Sequence, residues 1–152
     1  MSAENVSLTA EVEALIGEAK LPVSYLASSP CLTLLGIRNG GRLVGVVGIE
    51  AYGSVGLLRS LAVEPAHRNS GIGTSLVSGA EAWAAEQGIE ILYLLTTTAA
   101  VFFARRGHEA VPRSAAPAAI AETAQFRDLC PASSTLMCKV LAAQISPPPR
   151  PA

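Results

Sequence analysis

One segment limits the fold of this chain more than any other: an apolar strand, a loop with two glycines and a long helix follow one another directly. The strand is "VGLLRSLAV" at 55–63, and the loop "RNSGIG" occupies 68–73. Apolar residues at steps of three and four predict a helix from 71 to 87, which Gly88 ends in the left-handed conformation. Backbone N–H groups at a helix N-terminus bind anions, and glycine lets an anion come close to them. The segment therefore predicts a phosphate site.

The rest of the chain predicts a mixed α/β domain whose first half is a helix followed by an antiparallel meander. Helical spacing over 8–20 ends at Pro22, and two strands then meet at the hairpin turn "NGG", residues 39–41. Beyond the long helix, "IEILYLLTTT" at 89–98 is apolar on both faces and is predicted to be a central strand. The remaining predicted elements are strands at 32–37, 42–51, 108–113 and 134–141 and helices at 99–107 and 117–126.

Length and composition favour a single compact domain. A chain of 152 residues fits one domain, which we place at 1–145. The proline-rich stretch "SPPPRPA" at 146–152 is predicted to be a loose tail.

Charge and cysteine usage narrow the class of protein. A net charge of −1 argues against partners such as nucleic acid or a membrane surface, which select a basic excess. Cys31, Cys130 and Cys138 are widely spaced and form no metal-ligand pattern, so no metal site is predicted and a reducing compartment is favoured. The first residues, "MSAENVSL", lack the features of a signal peptide. These observations predict a cytoplasmic protein.

The glycine loop does not match two common phosphate motifs. The chain contains no GxxxxGK[ST], and its loop glycines do not form GxGxxG. What remains is Arg68-x-x-Gly71-x-Gly73, and the surrounding segment "LAVEPAHRNSGIG" resembles the acetyl-CoA-binding motif of the GNAT acetyltransferases. "FFARRGH", which begins at Phe102, is a near-match to another segment of that family. The resemblance covers roughly residues 35–112 and implies the GNAT fold, a mixed and mostly antiparallel sheet flanked by helices.

Within the family, two groups resemble this chain more closely. "LLRSLAV", "LYLLTTTAAVFFARRG" and "TAQFRDLCPASSTLM" look like the small GNAT proteins associated with arsenic resistance. The "LTT" strand and the aromatic pair also resemble the acetyltransferase domain of N-acetylglutamate synthases. Both resemblances imply an amino-acid-like acceptor, and the first implies a glutamate analogue that carries arsenic.

The resemblance also implies which residues bind acetyl-CoA as co-substrate. In the family the strand before the loop bonds the pantetheine arm through its backbone, and the loop surrounds the pyrophosphate. The N–H of Leu61 is then the expected partner of the thioester carbonyl. The implied contacts are Leu61, Ala62, Val63, Arg68, Asn69, Ser70, Gly71, Ile72, Gly73 and Thr74.

Arg59 is the only charged residue of the strand 55–63. Strand alternation predicts that it shares a face with Leu61 and Val63 and points towards the reacting end. A buried guanidinium needs a partner, which is either a carboxylate of the acceptor or Glu50 in a purely structural pair. If the turn "YGS" sets the register, residues 50 and 57 face each other and Glu50 lies diagonal to Arg59. Both interpretations stay open.

The other candidate residues are less well defined. Glu50 is the candidate proton acceptor for the amine, with an ion-paired strand residue as the alternative. Many family members carry a tyrosine as general acid where this chain has Phe103, and Tyr93 or the threonines at 96–98 are candidate substitutes. Arg113 lies in the variable C-terminal part, where acceptors bind in the family, and is a candidate substrate contact. Solvated surface is the default assignment for Arg105, Arg106 and Arg113 alike.

The resulting hypothesis is an N-acetyltransferase that moves the acetyl group of acetyl-CoA to the primary amine of a small acceptor by direct attack. One alternative is acetylation of a protein N-terminus. Another is an acyl-CoA-binding sensor without turnover, for which Phe103 is the best argument. A homodimer is left open.

Overall fold

The structure is a computed structural model that describes residues 3–19, 21, 31–68, 70–123, 126 and 134–141. In this part of the chain, the strands are β1 Glu4–Val6, β2 Leu32–Asn39, β3 Arg42–Tyr52, β4 Val55–Val63, β5 Ile91–Thr96, β6 Glu109–Val111 and β7 Thr135–Val140. The helices are α1 Ala10–Glu18, α2 Ile72–Glu86, α3 Ala100–Ala104 and α4 Ala118–Ala121, with 3-10 turns at Pro65–His67 and Arg113–Ala115. The predicted tail at 146–152 lies outside the described residues.

The strands form one sheet in the order β1-β2-β3-β4-β5-β7-β6. All neighbouring strands are antiparallel except β4 and β5, so the predicted fold class is confirmed. Glu50 faces Leu57 across the β3–β4 hairpin, as the "YGS" turn predicts. The predicted helix at 117–126 is shorter than expected, and β1 is too short to give a pattern in the sequence.

The parallel ladder between β4 and β5 stops early. It runs from Val55, opposite Ile91, only as far as Leu57, opposite Tyr93. Both strands continue, β4 to Val63 and β5 to Thr96, without pairing to each other. A wedge therefore opens between their carboxyl ends, and the β4 edge that faces it keeps its backbone N–H and C=O groups free of this ladder.

A β-bulge lies in the same part of β4. Val46 faces Ala62 and Gly48 faces Arg59, so two residues of β4, Ser60 and Leu61, stand opposite one residue of β3. Ser60 has φ of +58°, a left-handed conformation that is uncommon for a residue other than glycine. The extra residue changes which face of the sheet the following side chains occupy.

Both faces of the sheet are covered. Val46 and Val47 are neighbours on β3 and point to opposite faces, where they join different clusters. On one face α2 packs closely on β3, because a Cβ on Gly45 would lie 2.8 Å from side-chain atoms of both Ile72 and Leu76. The other face carries α1 and α4, which contribute Val12, Leu15, Ile16 and Ile120. No helix in the described part of the chain is long and apolar enough to cross a bilayer.

His108 is a buried group that the fold keeps neutral. It is 2% exposed, its ring lies edge-on to Phe103 with 5.5 Å between centroids, and neither ring nitrogen has a hydrogen-bond partner among the described residues. Burial, with a contribution from nearby Lys139, lowers the pKa of His108 from 6.5 to about 4. Below pH 6.5 the unfolded chain therefore binds a proton that the folded protein excludes.

We expect this histidine to weaken the fold in acid. The free energy of unfolding should fall by about 3 kcal/mol as the pH drops from 6.5 towards 4, and it should gain nothing above pH 6.5. His108→Phe keeps an aromatic ring but does not titrate. The unfolding free energy of wild type minus that of His108→Phe, measured in denaturant at several pH values, should therefore become more negative by about 3 kcal/mol as the pH drops from 6.5 to 4. A difference that does not change with pH would contradict the buried neutral state.

Candidate functional site

A cleft of about 710 Å³ opens where β4, α2 and α3 meet. It lies at the carboxyl end of the β4–β5 wedge and at the N-terminus of α2. No carboxylate lines it in the part of the chain that the structure describes, whereas three arginines do. The lining residues are Ala19, Leu61, Ala62, Val63, Arg68, Gly71, Gly73, Thr74, Thr98, Ala99, Phe102, Arg105 and Arg106.

The glycine loop gives the cleft its main-chain donors. Gly71 occupies the N-cap of α2 with φ of +88°, and no side chain caps the helix there. The first N–H groups of a helix have no intrahelical partner, and the helix dipole favours an anion at this end. Gly73 lies close to α3, since a Cβ on it would be 3.4 Å from the Phe102 ring. Glycine at both positions therefore leaves the backbone accessible.

Polar contacts hold the loop from outside the cleft. One carboxylate oxygen of Glu64 forms an ion pair with Arg42 of the β2–β3 hairpin. The other oxygen lies 3.0 Å from Nδ1 of His67. The hydroxyl of Ser70 donates to the carbonyl of His67. These side chains stabilise the loop itself, so the main chain remains available for a ligand.

Arg106 fixes α3 against the first turn of α2. Its guanidinium lies 3.8 Å from the centroid of the Phe102 ring, and Nη1 donates to the Phe102 carbonyl at 2.7 Å. Nη2 and Nε reach the hydroxyl of Thr74 at 2.5 and 3.1 Å. The assignment of Arg106 to solvated surface is therefore wrong. Its positive charge adds to the dipole at the N-terminus of α2.

A second polar site is built around Arg59. Nη1 of Arg59 lies 2.6 Å from Oε2 of Glu50, and the two side chains are 1% and 4% exposed. Nε donates to the hydroxyl of Ser60 at 3.1 Å, and the hydroxyl of Tyr52 donates to the other oxygen of Glu50. Nη2 of Arg59 is buried and has no partner among the described residues. The structural pair is thus present, and one side of the guanidinium fork remains unused.

The predicted common face for Arg59, Leu61 and Val63 is wrong. Leu61 and Val63 pack against the cluster that contains α2, whereas Leu57, two residues before Arg59, belongs to the cluster on the opposite face. The bulge at Ser60 and Leu61 is the physical reason, because one extra residue reverses the alternation. The guanidinium therefore lies on the face opposite Leu61 and Val63, whereas the cleft is lined from both faces, because Ala19 and Ala62 belong to the cluster around α1.

A comparison with known families identifies the chain. The model of the "Acetyltransferase (GNAT) family" matches residues 8–108, which include the strand, the loop and α2. The chain belongs to the GNAT family.

A curated relative and two solved structures resemble this chain. The uncharacterized N-acetyltransferase CT2212 of Chlorobaculum tepidum is 32% identical over 103 residues, which are 67% of this chain and 63% of the relative. The match thus spans less than two thirds of that relative. N-acetylglutamate synthase from Neisseria gonorrhoeae, complexed with coenzyme A and N-acetyl-glutamate, has a TM-score of 0.75 at 20% identity over 93% of this chain and 35% of its own. Rv2747 of Mycobacterium tuberculosis, complexed with coenzyme A, has a TM-score of 0.76 at 19% identity over 92% of this chain and 99% of its own. At these identities the two structures show the GNAT fold.

Tyr52 is a further member of the Arg59 site that is absent from the predicted residues. It is partly buried, and both burial and its hydrogen bond to Glu50 raise the pKa of its hydroxyl, so the group stays a neutral donor. The signal was available, because Tyr52 follows Glu50 by two residues on one strand and so shares its face.

The candidates for a general acid, Tyr93 and the threonines at 96–98, lie in different surroundings. Phe103, which occupies the position of the usual tyrosine, is buried in the core. Burial raises the pKa of the Tyr93 hydroxyl. The hydroxyl of Thr96 accepts the N–H of Ala99 at 2.9 Å and so shapes the start of α3. Thr98 is the candidate hydroxyl that lines the cleft.

Arg113 and Asn69 complete the predicted residues. Arg113 donates to the hydroxyl of Ser134 at 2.9 Å and to the Phe126 carbonyl at 3.4 Å, and its guanidinium lies over the Phe126 ring. Arg113 thus connects its own 3-10 turn with Phe126 and Ser134. Its role in substrate binding stays a prediction. Asn69 lies outside the described residues.

The buried ion pair makes a testable contribution to stability. Glu50→Ala leaves Arg59 buried without its carboxylate, so the free energy of unfolding should fall by about 3–5 kcal/mol in chemical denaturation. Adding Arg59→Met removes the second charge and should restore part of this loss. Arg42→Ala is the control, because the Arg42 side chain pairs with Glu64 while 67% exposed. That control should change stability by less than about 1 kcal/mol, and equal effects of Glu50→Ala and Arg42→Ala would argue against a buried pair.

Proposed function

We propose that this protein transfers the acetyl group of acetyl-CoA to the primary amine of a small, amino-acid-like acceptor. The observation that carries the proposal is the cleft of a GNAT chain at the uncapped N-terminus of α2, lined by arginines and main-chain donors. Membership of the family supports acetyl transfer as the reaction. The site around Arg59 supports an amino-acid-like acceptor.

The described residues fit acetyl-CoA, which would supply an activated acetyl thioester. The described loop residues 70–74 offer N–H donors for the pyrophosphate, and the glycines keep this surface open. The β4 edge at 61–63 has no partner in β5, so its amide groups can bond the amides of the pantetheine arm. The N–H of Leu61 is assigned to the thioester carbonyl, where it would stabilise developing negative charge.

The free side of Arg59 points to an acceptor with a carboxylate. A buried, unpartnered donor costs about 1–3 kcal/mol, and a carboxylate would remove this cost through a charge-assisted hydrogen bond. Glu50 and Ser60 already hold the other two nitrogens of the guanidinium, so its orientation is set before a ligand arrives. An acceptor with both an amine and a carboxylate is amino-acid-like.

Within this class we propose a glutamate-like acceptor, including a glutamate analogue that carries arsenic. The resemblance to the arsenic-resistance-associated acetyltransferases and to N-acetylglutamate synthases supports this choice. The cytoplasmic location, the single domain at 1–145 and the homodimer remain predictions.

The chemistry needs few protein groups beyond positioning. Both oxygens of Glu50 accept hydrogen bonds, from Arg59 and Tyr52, so we assign Glu50 to hold Arg59, and the amine loses its proton to water. The leaving thiolate has a conjugate acid with a pKa of about 8.5, so it can depart before protonation. Phe103 at the position of the usual tyrosine is therefore compatible with turnover.

A glycine pair at the two ends of α2 tests the cofactor cleft. Gly71 and Gly88 have φ of +88° and +87°, and a Cβ would meet no atom within 4 Å at either position. Gly71→Val and Gly88→Val should therefore lose similar stability, about 1–2 kcal/mol or more from the left-handed backbone. Calorimetry should show weaker coenzyme A binding for Gly71→Val alone. Unchanged affinity in folded Gly71→Val protein would place the cofactor elsewhere.

The acceptor proposal is tested by thiol release from acetyl-CoA with amines of graded structure. Amino acids should react with higher kcat/KM than the amines left after their decarboxylation. Arg59→Lys keeps the charge but loses the planar fork, so it should reduce this preference about tenfold or more while coenzyme A affinity stays unchanged. Arg113→Lys is the matched comparison at the other predicted substrate contact and should reduce the preference less than Arg59→Lys does.

Several outcomes would overturn this assignment. An equal rate with amino acids and decarboxylated amines would show that the protein does not recognise an acceptor carboxylate. A larger effect of Arg113→Lys than of Arg59→Lys would assign carboxylate recognition to Arg113. Turnover with peptides but not with free amino acids would favour acetylation of protein N-termini. Binding of acetyl-CoA without release of its thiol in the presence of any amine would favour the sensor. The buried Phe103 is the observation that supports this alternative.

A further inference from the structure

Two neighbouring arginines on the cleft, Arg105 and Arg106, differ in how they are held. Arg106 uses Nε, Nη1 and Nη2 to bond Thr74 and the Phe102 carbonyl. The side chain of Arg105 is exposed and has no hydrogen-bond or ion-pair partner within the described ranges. Its backbone is nevertheless fixed, because its N–H donates to the Val101 carbonyl at 3.1 Å. In the described part of the chain, the Arg105 side chain is thus an unpaired cation beside the cleft, and its backbone is held by the helical hydrogen bond.

The third arginine of the cleft belongs to the loop. Nε of Arg68 donates to the carbonyl of Val63 at 3.2 Å, across the 3-10 turn between β4 and α2. Arg68 therefore lies next to the main-chain donors, on the side assigned to the pyrophosphate. Arg105 is the C-cap of α3 and lines the same cleft from a different element.

Coenzyme A carries two separate phosphate groups. Its pyrophosphate is served by the N–H donors at the N-terminus of α2 and by the fixed charge of Arg106. The 3′-phosphate on its ribose is close to a dianion at neutral pH and needs a cation of its own. No carboxylate among the described lining residues competes for Arg105.

We propose that Arg105 binds the 3′-phosphate and that the cleft thereby selects coenzyme A over dephospho-coenzyme A. Arg106 is a positioning residue, which holds the end of α3 against α2 and adds charge beside the pyrophosphate. The inference rests on the proposed function, because it requires coenzyme A in this cleft.

Calorimetric titration of the purified protein with coenzyme A and with dephospho-coenzyme A tests the proposal without turnover. The wild type should bind coenzyme A about tenfold more tightly than dephospho-coenzyme A. Arg105→Gln should lose this factor by weakening coenzyme A alone. Arg106→Gln should weaken both ligands by a similar factor, and Arg68→Gln should leave the ratio between them unchanged. The preference should also shrink at high ionic strength, because the contact is exposed.

The remaining outcomes separate this inference from the proposed function. If the wild type binds both ligands equally well, or if Arg105→Gln weakens both equally or neither, the 3′-phosphate contact is wrong while the cofactor cleft stands. Loss of the preference in Arg68→Gln would overturn the assignment to Arg105. If the wild type binds neither ligand, the proposed function fails together with the inference.

Discussion

The bulge in β4 is the constraint on which the rest of the site depends. Ser60 and Leu61 share one position opposite β3, and Ser60 accepts a left-handed backbone to make this happen. The extra residue sends Arg59 to one face of the sheet and Leu61 to the other. A regular strand would place both side chains on a single face. The bulge instead places the Arg59 guanidinium on the face opposite the side chains of Leu61 and Val63.

The bulge lies in the part of β4 that no longer pairs with β5. The ladder between the two strands ends at Leu57 and Tyr93, and the free edge beyond it leads directly to the glycine loop. A strand edge without a neighbour is a liability in most proteins, because its N–H and C=O groups need partners. Here the free edge and the uncapped N-terminus of α2 border one cleft, so one extended ligand can satisfy both.

The cleft and the site around Arg59 differ in net charge and in burial. The cleft is positive and open, with arginines that are exposed or anchored by neutral groups such as Thr74. The Arg59 side is buried and nearly neutral as a unit, because Glu50 lies beside the guanidinium. Burial of an ion pair is expensive unless hydrogen bonds complete it, and Tyr52 and Ser60 supply these bonds. Nη2 of Arg59 is the exception, because this buried nitrogen has no hydrogen-bond partner among the described residues.

The order of the elements along the chain could be predicted from the amino-acid sequence. The strand, loop and helix around Gly71 follow from short-range rules, and the hairpin register that brings Glu50 near Arg59 follows from a tight turn. Tyr52 could also have been found, since it lies two residues from Glu50 on the same strand. Two features became visible only in the folded structure. One is the bulge at Ser60, which no residue type in the strand predicts. The other is the contact between Arg106 and Thr74, which lie 32 residues apart. Both depend on how separate elements pack, and the energy of such long-range contacts leaves no periodic trace in the sequence.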